Sequence, residues 1–274
     1  MKKIVIIICW FGKFPWYYPY FIHSCGFNLT VDFKLITDNK SILISLPSNV
    51  QLINYSFGGI KKYIKEKHKL EINIENAYKL CDFKPAYGFI FNNLIKNYDY
   101  WGYCDLDIIL GNIRKFLDKS ILLNYDFINV RHDYTTGCFA LFKNNVFMNQ
   151  LFMKSKDFVK VFQDSKHYCF DECNFKWFEI MEGKDIFTLN TEIESMTEVI
   201  KRAQNNKEIK PYFNFIIAEG TPGDISFNKG KILYKNKYEV MLYHLRMFKL
   251  IYSQKSKINV IPNKYFISSH EIIL

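Results

Sequence analysis

The sequence lacks a cysteine pattern that would predict a zinc site or a disulfide framework. Its 7 cysteines are odd in number, and no two of them have CxxC spacing. Cys169 and Cys173 are spaced CxxxC, which is a weak metal signal without a second pair. Several other cysteines lie in apolar runs, where cysteine behaves as a small hydrophobe. We therefore expect free thiols and a reducing, cytoplasmic compartment.

The sequence also lacks an apolar run that is long enough for a membrane-spanning helix, which needs about 20 apolar residues. The N-terminal run at residues 4–9 is too short, and Gly12, Lys13 and Pro15 follow it. No small-residue cleavage site follows, so a signal peptide is not expected. A continuous β-branched run of this length is typical of a strand that is buried on both faces of a sheet.

Several motifs of common enzyme classes are absent. The chain has no Walker-type Gly-Lys-Ser/Thr loop, no GxGxxG, no GxSxG and no HExxH. These absences disfavour P-loop nucleotide hydrolases, dinucleotide-binding enzymes, α/β-hydrolases and zincin-type proteases. Nothing in the sequence locates a Cys–His pair for nucleophilic catalysis.

Charge is plentiful but has no basic block. The 37 basic and 27 acidic residues give a formal net charge of +10, spread along the chain. A basic surface attracts nucleotides, nucleic acid or an anionic membrane, and this distribution does not choose among them. No segment resembles an RRM, KH or zinc-finger signature, so a nucleic-acid partner is not expected. Aromatic residues form 18% of the chain, enough for a core and for stacking on a base or sugar.

The order of predicted elements favours an α/β fold with a mixed, mostly parallel sheet flanked by helices. The 274 residues suit one domain, and no repeat or low-complexity linker divides them. The predicted strands are residues 4–9, 32–36, 50–54, 98–104, 127–130, 139–143 and 239–245. The predicted helices are residues 20–24, 57–68, 76–97, 144–155 and 171–181, whereas residues 182–237 are predicted to be less regular.

The strongest chemical signal is the pair Asp105 and Asp107, which follows an aromatic strand and precedes the apolar run 108–110. Such a pair is common in surface turns, and alone that interpretation would be preferred. Between buried segments two unpaired carboxylates are costly, so a site there implies a cation. Mn²⁺ and Mg²⁺ prefer oxygen ligands and leave positions open for phosphate oxygens. We expect the chain to turn there, so that both carboxylates approach one ion.

The order of these features resembles the GT-A glycosyltransferases, particularly bacterial enzymes of surface-polysaccharide assembly that carry an Asp-x-Asp motif. The resemblance covers about residues 1–250, although only short motifs are specific. It implies a Rossmann-like domain over residues 1–274, with a nucleotide-binding half at about 1–125 and an acceptor-binding half at about 126–274. It also implies a nucleotide-sugar donor, with uridine as the base, and a carbohydrate or lipid-linked glycan acceptor.

The resemblance also implies roles for individual residues. The loop after the first strand, including Phe11, and the end of the second strand at Thr37 and Asp38 would hold the nucleoside. The remaining implied donor contacts are Lys84, in the segment before the metal motif, and Asp105 and Leu106 within it. A simple turn at Asp38 and a surface position for Lys84 stay open as structural alternatives.

A late segment, Tyr243–Lys249, supplies a third implied metal ligand. Several retaining GT-A enzymes use a late histidine on Mn²⁺ and a nearby lysine on the diphosphate, and His244 and Lys249 match those places. The glycine that usually separates the two is absent here, which weakens the match. Imidazole as a ligand suits Mn²⁺ better than Mg²⁺.

An acidic pair, Asp171 and Glu172, resembles the carboxylates that face the acceptor in GT-A enzymes. One of them would act as the general base of an inverting enzyme or orient the acceptor in a retaining one. The structural alternative is a helix that begins at this pair, since acidic residues favour helix N-termini. The preceding loop 135–138 resembles one that shapes the sugar pocket, where Gly137 would let the backbone approach a sugar closely. A simple turn stays open as the structural alternative for this loop.

The sequence therefore predicts a Mn²⁺- or Mg²⁺-dependent glycosyltransferase in the cytoplasm, with contact to the inner membrane face left open. The alternatives are a sugar-nucleotide nucleotidyltransferase and a non-catalytic protein that binds nucleic acid or glycan. The donor sugar, the acceptor and the stereochemical outcome are not predicted by any residue pattern.

Overall fold

The computed structural model describes residues 1–40, 45–69, 71–253 and 260–274. The strands among them, numbered in chain order, are β1 Ile4–Trp10, β2 Val31–Thr37, β3 Val50–Asn54, β4 Tyr100–Cys104, β5 Ile108–Leu110, β6 Phe127–Asn129, β7 Phe139–Lys143, β8 Pro211–Phe213, β9 Ile217–Ala218, β10 Ile225–Asn228, β11 Lys231–Tyr234, β12 Tyr238–Val240, β13 Leu242–His244, β14 Lys264–Ile267 and β15 Ile272–Ile273.

The α-helices of these ranges are α1 Tyr18–Cys25, α2 Phe57–His68, α3 Tyr87–Ile90, α4 Asn92–Ile95, α5 Ile113–Phe116, α6 Lys119–Asn124, α7 Val146–Asn149, α8 Phe158–Gln163, α9 Trp177–Met181, α10 Met196–Asn205 and α11 Phe248–Ile251. Three segments are 3₁₀-helical: Ala77–Ala86, Leu151–Lys154 and Ile186–Thr188. No helix of the described residues is long and apolar enough to cross a membrane.

The main sheet has seven strands in the order β3-β2-β1-β4-β7-β6-β8. The pairings β1–β2, β1–β4, β2–β3 and β6–β8 are parallel, whereas β7 runs antiparallel to β4 and β6. The predicted mixed, mostly parallel α/β sheet is therefore confirmed. The apolar run that precedes Gly12 is strand β1, inside this sheet.

Both faces of the main sheet are covered by apolar layers. Along β1, Ile4, Ile6 and Ile8 pack into one cluster, and Val5 and Ile7 pack into the other. This alternation follows from the period of two in a strand. It explains why the run contains no polar residue.

The described residues also form two smaller sheets, one of five strands (β12-β11-β10-β14-β15) and one of three (β5-β13-β9). In the three-stranded sheet, β13 pairs antiparallel with β5 and places His244 opposite Ile108. The Leu245 N–H donates to the Asp107 carbonyl at 2.8 Å. This sheet therefore brings a late segment of the chain against the end of β4.

Residues 76–97 do not form the single regular helix that was predicted. Residues 77–86 form a 3₁₀ segment, and only the short helices α3 and α4 follow it. Pro85 lies inside the 3₁₀ segment and lacks the N–H that a regular ladder requires. The predicted helix 144–155 is likewise divided into α7 and a 3₁₀ segment.

The predicted helix 171–181 is also wrong in its start. Residues 171–175 form turns, with Asn174 at φ +49° and Phe175 at φ +64°, and α9 begins only at Trp177. Left-handed residues of this kind cannot belong to a right-handed helix. The acidic pair at 171–172 therefore does not lie at a helix N-terminus, and the structural alternative proposed for it fails.

Two further predictions need correction. The predicted strand 239–245 is interrupted at Met241, whose N–H donates to the Ile216 carbonyl and whose carbonyl accepts from Gly111. The region 182–237, predicted to be less regular, contains α10, which begins with a capping box between Ser195 and Glu198. All seven cysteines lie within the described residues and are free thiols.

Candidate functional site

A cavity of about 480 Å³ lies at the carboxyl ends of β1 and β4. Ligands of open α/β sheets bind at this edge, because the loops that follow parallel strands meet there. Its walls come from the loop after β1, the segment after β4, the 3₁₀ segment 77–86, the turn 167–177 and the segment after β13.

Three potential metal ligands meet in this cavity. One donor atom from each of Asp105, Asp107 and His244 lies within 4.8 Å of the other two. The chain bends after β4, and Leu106 between the aspartates is buried in the core. Two carboxylates and one imidazole form a donor set suited to a divalent ion such as Mn²⁺. The predicted convergence of the two aspartates is therefore seen in the structure.

Two lysines pair with these carboxylates. Lys84 Nζ lies 2.6 Å from Asp105 Oδ1, and Lys249 Nζ lies 2.5 Å from Asp107 Oδ2. Lys84 also donates to the Gly137 carbonyl at 2.9 Å. Burial lowers the pKa of Lys84, but the negative charge of Asp105 outweighs this effect and raises the pKa well above its usual value. The cavity therefore contains one lysine side chain beside each aspartate.

The two aspartates have different electrostatic environments. Burial raises the pKa of Asp105, and the charge of Lys84 opposes this only in part. Burial also acts to raise the pKa of Asp107, but its hydrogen bond with His244 and the charges of His244 and Lys249 lower it below the usual value. Asp107 is therefore the carboxylate that holds its negative charge more strongly.

His244 is oriented by a residue that the sequence did not reveal. Its Nε2 lies 3.5 Å from Asp107 Oδ2, and its Nδ1 lies 3.2 Å from Glu219 Oε2. Glu219 directly follows β9 and is itself paired with Arg131. A carboxylate on the far nitrogen of a metal-binding histidine fixes its tautomer and ring orientation. Nothing in the local sequence around Glu219 signals this position, because β9 and β13 meet only in the folded sheet.

The acidic pair faces the same cavity, but its members have different environments. Glu172 accepts from the Gly137 N–H at 2.8 Å and from the Trp177 indole N–H at 2.5 Å. Asp171 is 3% exposed and lies 3.4 Å from Lys84 Nζ. Burial raises the pKa of Asp171 to about 7, with the charge of Lys84 opposing the rise. Glu172 is thus held in place by donors, whereas Asp171 is a proton-holding group near neutral pH.

Gly137 permits this close packing. A Cβ at this position would lie 2.5 Å from Asp171 Oδ2, 3.1 Å from Glu172 Oε1 and 3.3 Å from Lys84 Nζ. Contacts below 3.0 Å are essentially never seen for a real Cβ. The glycine therefore lets the loop at 135–138 lie against the carboxylates. The predicted close approach of this loop to a sugar stays a prediction.

The predicted nucleoside contacts are only partly brought to the cavity. Phe11 lines it, but Thr37 and Asp38 do not. Asp38 Oδ1 accepts the Gly12 N–H at 2.7 Å, and Gly12 has φ +91°. Asp38 thus joins the loop after β1 to the end of β2, which is the turn-type alternative. Its role as a nucleoside contact stays a prediction.

A fully buried anchor holds two walls of the cavity together. Asp82 Oδ2 lies 2.9 Å from Lys79 Nζ, and both side chains are 0% exposed. Asp82 also accepts the Tyr168 and Phe170 N–H groups, each at 2.9 Å, and lies 3.1 Å from His167 Nδ1. It therefore links the segment that carries Lys84 to the segment that carries Asp171, although neither end of this link was visible in the sequence.

The chain matches a protein family over residues 6–273, and the family is described as "Family of unknown function (DUF6625)". The match covers almost the whole chain, so the protein belongs to this family. No curated protein shows significant sequence similarity to it.

Two solved structures show a remote likeness. One is the galactosyltransferase LgtC in complex with donor and acceptor sugar analogs, at 11% identity and a TM-score of 0.37. The other is the glycosyltransferase GlyE of Streptococcus pneumoniae TIGR4, at 11% identity and a TM-score of 0.36. The alignments cover 60% and 78% of this chain, and 66% and 45% of the respective neighbours. At these values the likeness carries no conclusion about activity, which has to be argued from the site.

Proposed function

We propose that the protein is a metal-dependent glycosyltransferase that transfers a sugar from a nucleoside diphosphate sugar, with UDP as the nucleotide. The observation that carries the proposal is the meeting of Asp105, Asp107 and His244 within 4.8 Å, in a cavity of about 480 Å³ at the carboxyl edge of the sheet. These residues fit a Mn²⁺ or Mg²⁺ ion, which would stabilise the negative charge of a diphosphate leaving group.

The lysines beside the aspartates support a diphosphate rather than a neutral ligand. Lys84 is 6% exposed and Lys249 is partly buried, so both ammonium groups face the cavity rather than bulk water. Each can shift from its aspartate to a phosphate oxygen when a cation binds the carboxylates. Phe11 and Tyr17 in the same wall offer aromatic faces for the base.

Asp171 is proposed as the acidic group that meets the acceptor. Glu172 already accepts hydrogen bonds from Gly137 and Trp177, so it positions the turn. In an inverting enzyme Asp171 would take the proton of the acceptor hydroxyl, and a pKa near operating pH suits this role. In a retaining enzyme Asp171 would orient the acceptor instead. The acceptor is proposed to be a carbohydrate or lipid-linked glycan, met in the cytoplasm at the inner membrane face.

The proposal is tested by calorimetric titration of UDP into the protein with Mn²⁺ and then with EDTA. We expect micromolar, metal-dependent binding that is lost in Asp107→Ala. The matched control is Asp99→Ala, because Asp99 precedes the other end of β4 and also pairs with a lysine, Lys2, at 2.9 Å. Retained binding in EDTA or in Asp107→Ala would contradict the proposal.

Product analysis separates the proposal from a nucleotidyltransferase. A glycosyltransferase releases the nucleoside diphosphate, whereas a nucleotidyltransferase forms or consumes pyrophosphate. The Gly12 N–H, in the only N-terminal Gly-Lys pair of the described residues, already donates to Asp38. That bond leaves this loop less able to cradle a triphosphate.

A further inference from the structure

Arg246 lines the mouth of the cavity with an exposed guanidinium. Its guanidinium carbon lies 4.9 Å from the centroid of the Trp177 ring. In the described part of the chain no carboxylate forms an ion pair with Arg246, in contrast to Lys84 and Lys249, which each face an aspartate. The positive charge of Arg246 is therefore open to a ligand.

The indole beneath Arg246 is held in place from two sides. Its N–H donates to Glu172 Oε2 at 2.5 Å, and the Phe175 ring packs edge-on against it with centroids 5.5 Å apart. The guanidinium lies over this ring. Among the residues that the structure describes, its N–H groups form no hydrogen bond. Arginine held in this way is preorganised for a bidentate contact with a phosphate or carboxylate, since less side-chain freedom is lost on binding.

Arg246 is linked both to the candidate metal ligands and to the acidic pair of the site. It lies two residues after His244, the candidate metal ligand, and its partner Trp177 is bonded to Glu172, the neighbour of Asp171. Lys249, by contrast, contacts Asp107 and lies over the Tyr17 ring at 5.8 Å. Arg246 therefore lies on the side of the acidic pair, where the proposed function locates the acceptor.

We propose that Arg246, held on Trp177, forms a binding site for the phosphate group of a phosphorylated acceptor. This inference rests on the proposed function for the identity of the acceptor. Two sources of phosphate are compatible with the surroundings. The chain of a lipid phosphate would need apolar side chains to contact, and Phe175 and Phe178 next to Trp177 are 43% and 70% exposed. A sugar phosphate would need only Arg246.

The test is calorimetric titration of three phosphate probes into the full chain, with and without saturating UDP and Mn²⁺. The probes are inorganic phosphate, glucose 1-phosphate and octyl phosphate, with methyl glucoside and octanol as uncharged partners. We expect a phosphate probe to bind the UDP-loaded protein, and binding to weaken by about tenfold or more in Arg246→Gln, as the loss of charge-assisted hydrogen bonds implies. Arg246→Lys should recover only part of the affinity, because an ammonium lacks the planar fork.

The matched control is Lys237→Gln. Lys237 is also an exposed cation over an aromatic ring, 5.0 Å from the Tyr238 centroid, but it lies in the turn between β11 and β12 and does not line the cavity. This variant should bind every probe as the unmodified protein does. Tighter binding of octyl phosphate than of glucose 1-phosphate identifies a lipid phosphate as the source, and the reverse order identifies a sugar phosphate.

Three results would overturn the inference. They are absence of binding by all phosphate probes, equal binding in Arg246→Gln, and a loss of UDP affinity in Arg246→Gln, which would assign Arg246 to the donor. Failure of the proposed function has a different signature, namely no UDP binding with Mn²⁺ in the unmodified protein. In that case the titrations without UDP still decide whether Arg246 binds phosphate.

Discussion

Replacement of Asp82 by asparagine should destabilise the protein far more than replacement of an exposed aspartate. Asp82→Asn leaves the Lys79 ammonium without a charged partner at a position that is 0% exposed. It also replaces one of the two acceptor oxygens by an amide NH₂ group, which is a donor, although the Tyr168 and Phe170 N–H groups each need an acceptor. Breaking a buried ion pair by removing one partner costs about 3–5 kcal/mol. Urea unfolding monitored by tryptophan fluorescence measures this loss directly.

The control and the double mutant make the test specific. Asp99→Asn removes a carboxylate whose pair with Lys2 is partly exposed, so its cost should stay below about 1 kcal/mol. Lys79→Met combined with Asp82→Asn should be less destabilised than the sum of the two single variants, because the orphaned charge is gone. A cost of Asp82→Asn no larger than that of Asp99→Asn would refute the reasoning.

Three other predictions concern the cavity. Gly137→Ala should abolish sugar transfer while Asp107-dependent UDP binding persists, because the new Cβ would press on Asp171; normal turnover of this variant would contradict the crowding. Glu219→Gln should weaken Mn²⁺ binding by about 10–100-fold, as loss of the orienting partner of a metal histidine does, and unchanged affinity in a Mn²⁺ titration would exclude that role. The raised pKa of Asp171, about 7 in the folded state, means that its proton contributes stability which is complete below about pH 4 and is lost as pH rises through 7. Asp171→Asn should therefore gain stability relative to the unmodified protein between pH 4 and 7 in urea unfolding, and a pH-independent difference would count against the raised pKa.

The elements that could be predicted from the sequence are those that local patterns determine. The run at residues 4–9 is apolar on both faces, and the prediction of strand β1 followed from it. The aspartates at 105 and 107 were visible as a site because they directly follow a buried strand. His244 was found only through a family resemblance, since one histidine carries no spacing signal of its own.

The missed features depend on contacts between distant segments. Glu219 reaches His244 because β9 pairs with β13, and Asp82 reaches the segment at 168–170 across more than 80 residues of sequence. The helix predicted to begin at Asp171 was wrong because Asn174 and Phe175 adopt left-handed conformations that propensity does not favour. Such conformations are stabilised by tertiary packing, which no sequence window contains.

The three-stranded sheet also has a consequence for biosynthesis. Its strands are drawn from residues 108–110, 217–218 and 242–244, so the segment beside Asp107 acquires its partners only late in chain growth. A nascent chain on the ribosome can pair β1, β2, β3 and β4 long before His244 is translated. The candidate metal-binding cluster of Asp105, Asp107 and His244 would thus be incomplete until His244 has emerged, and fragments that stop before this residue would lack the third ligand. Assembly of this small sheet therefore requires the chain up to His244.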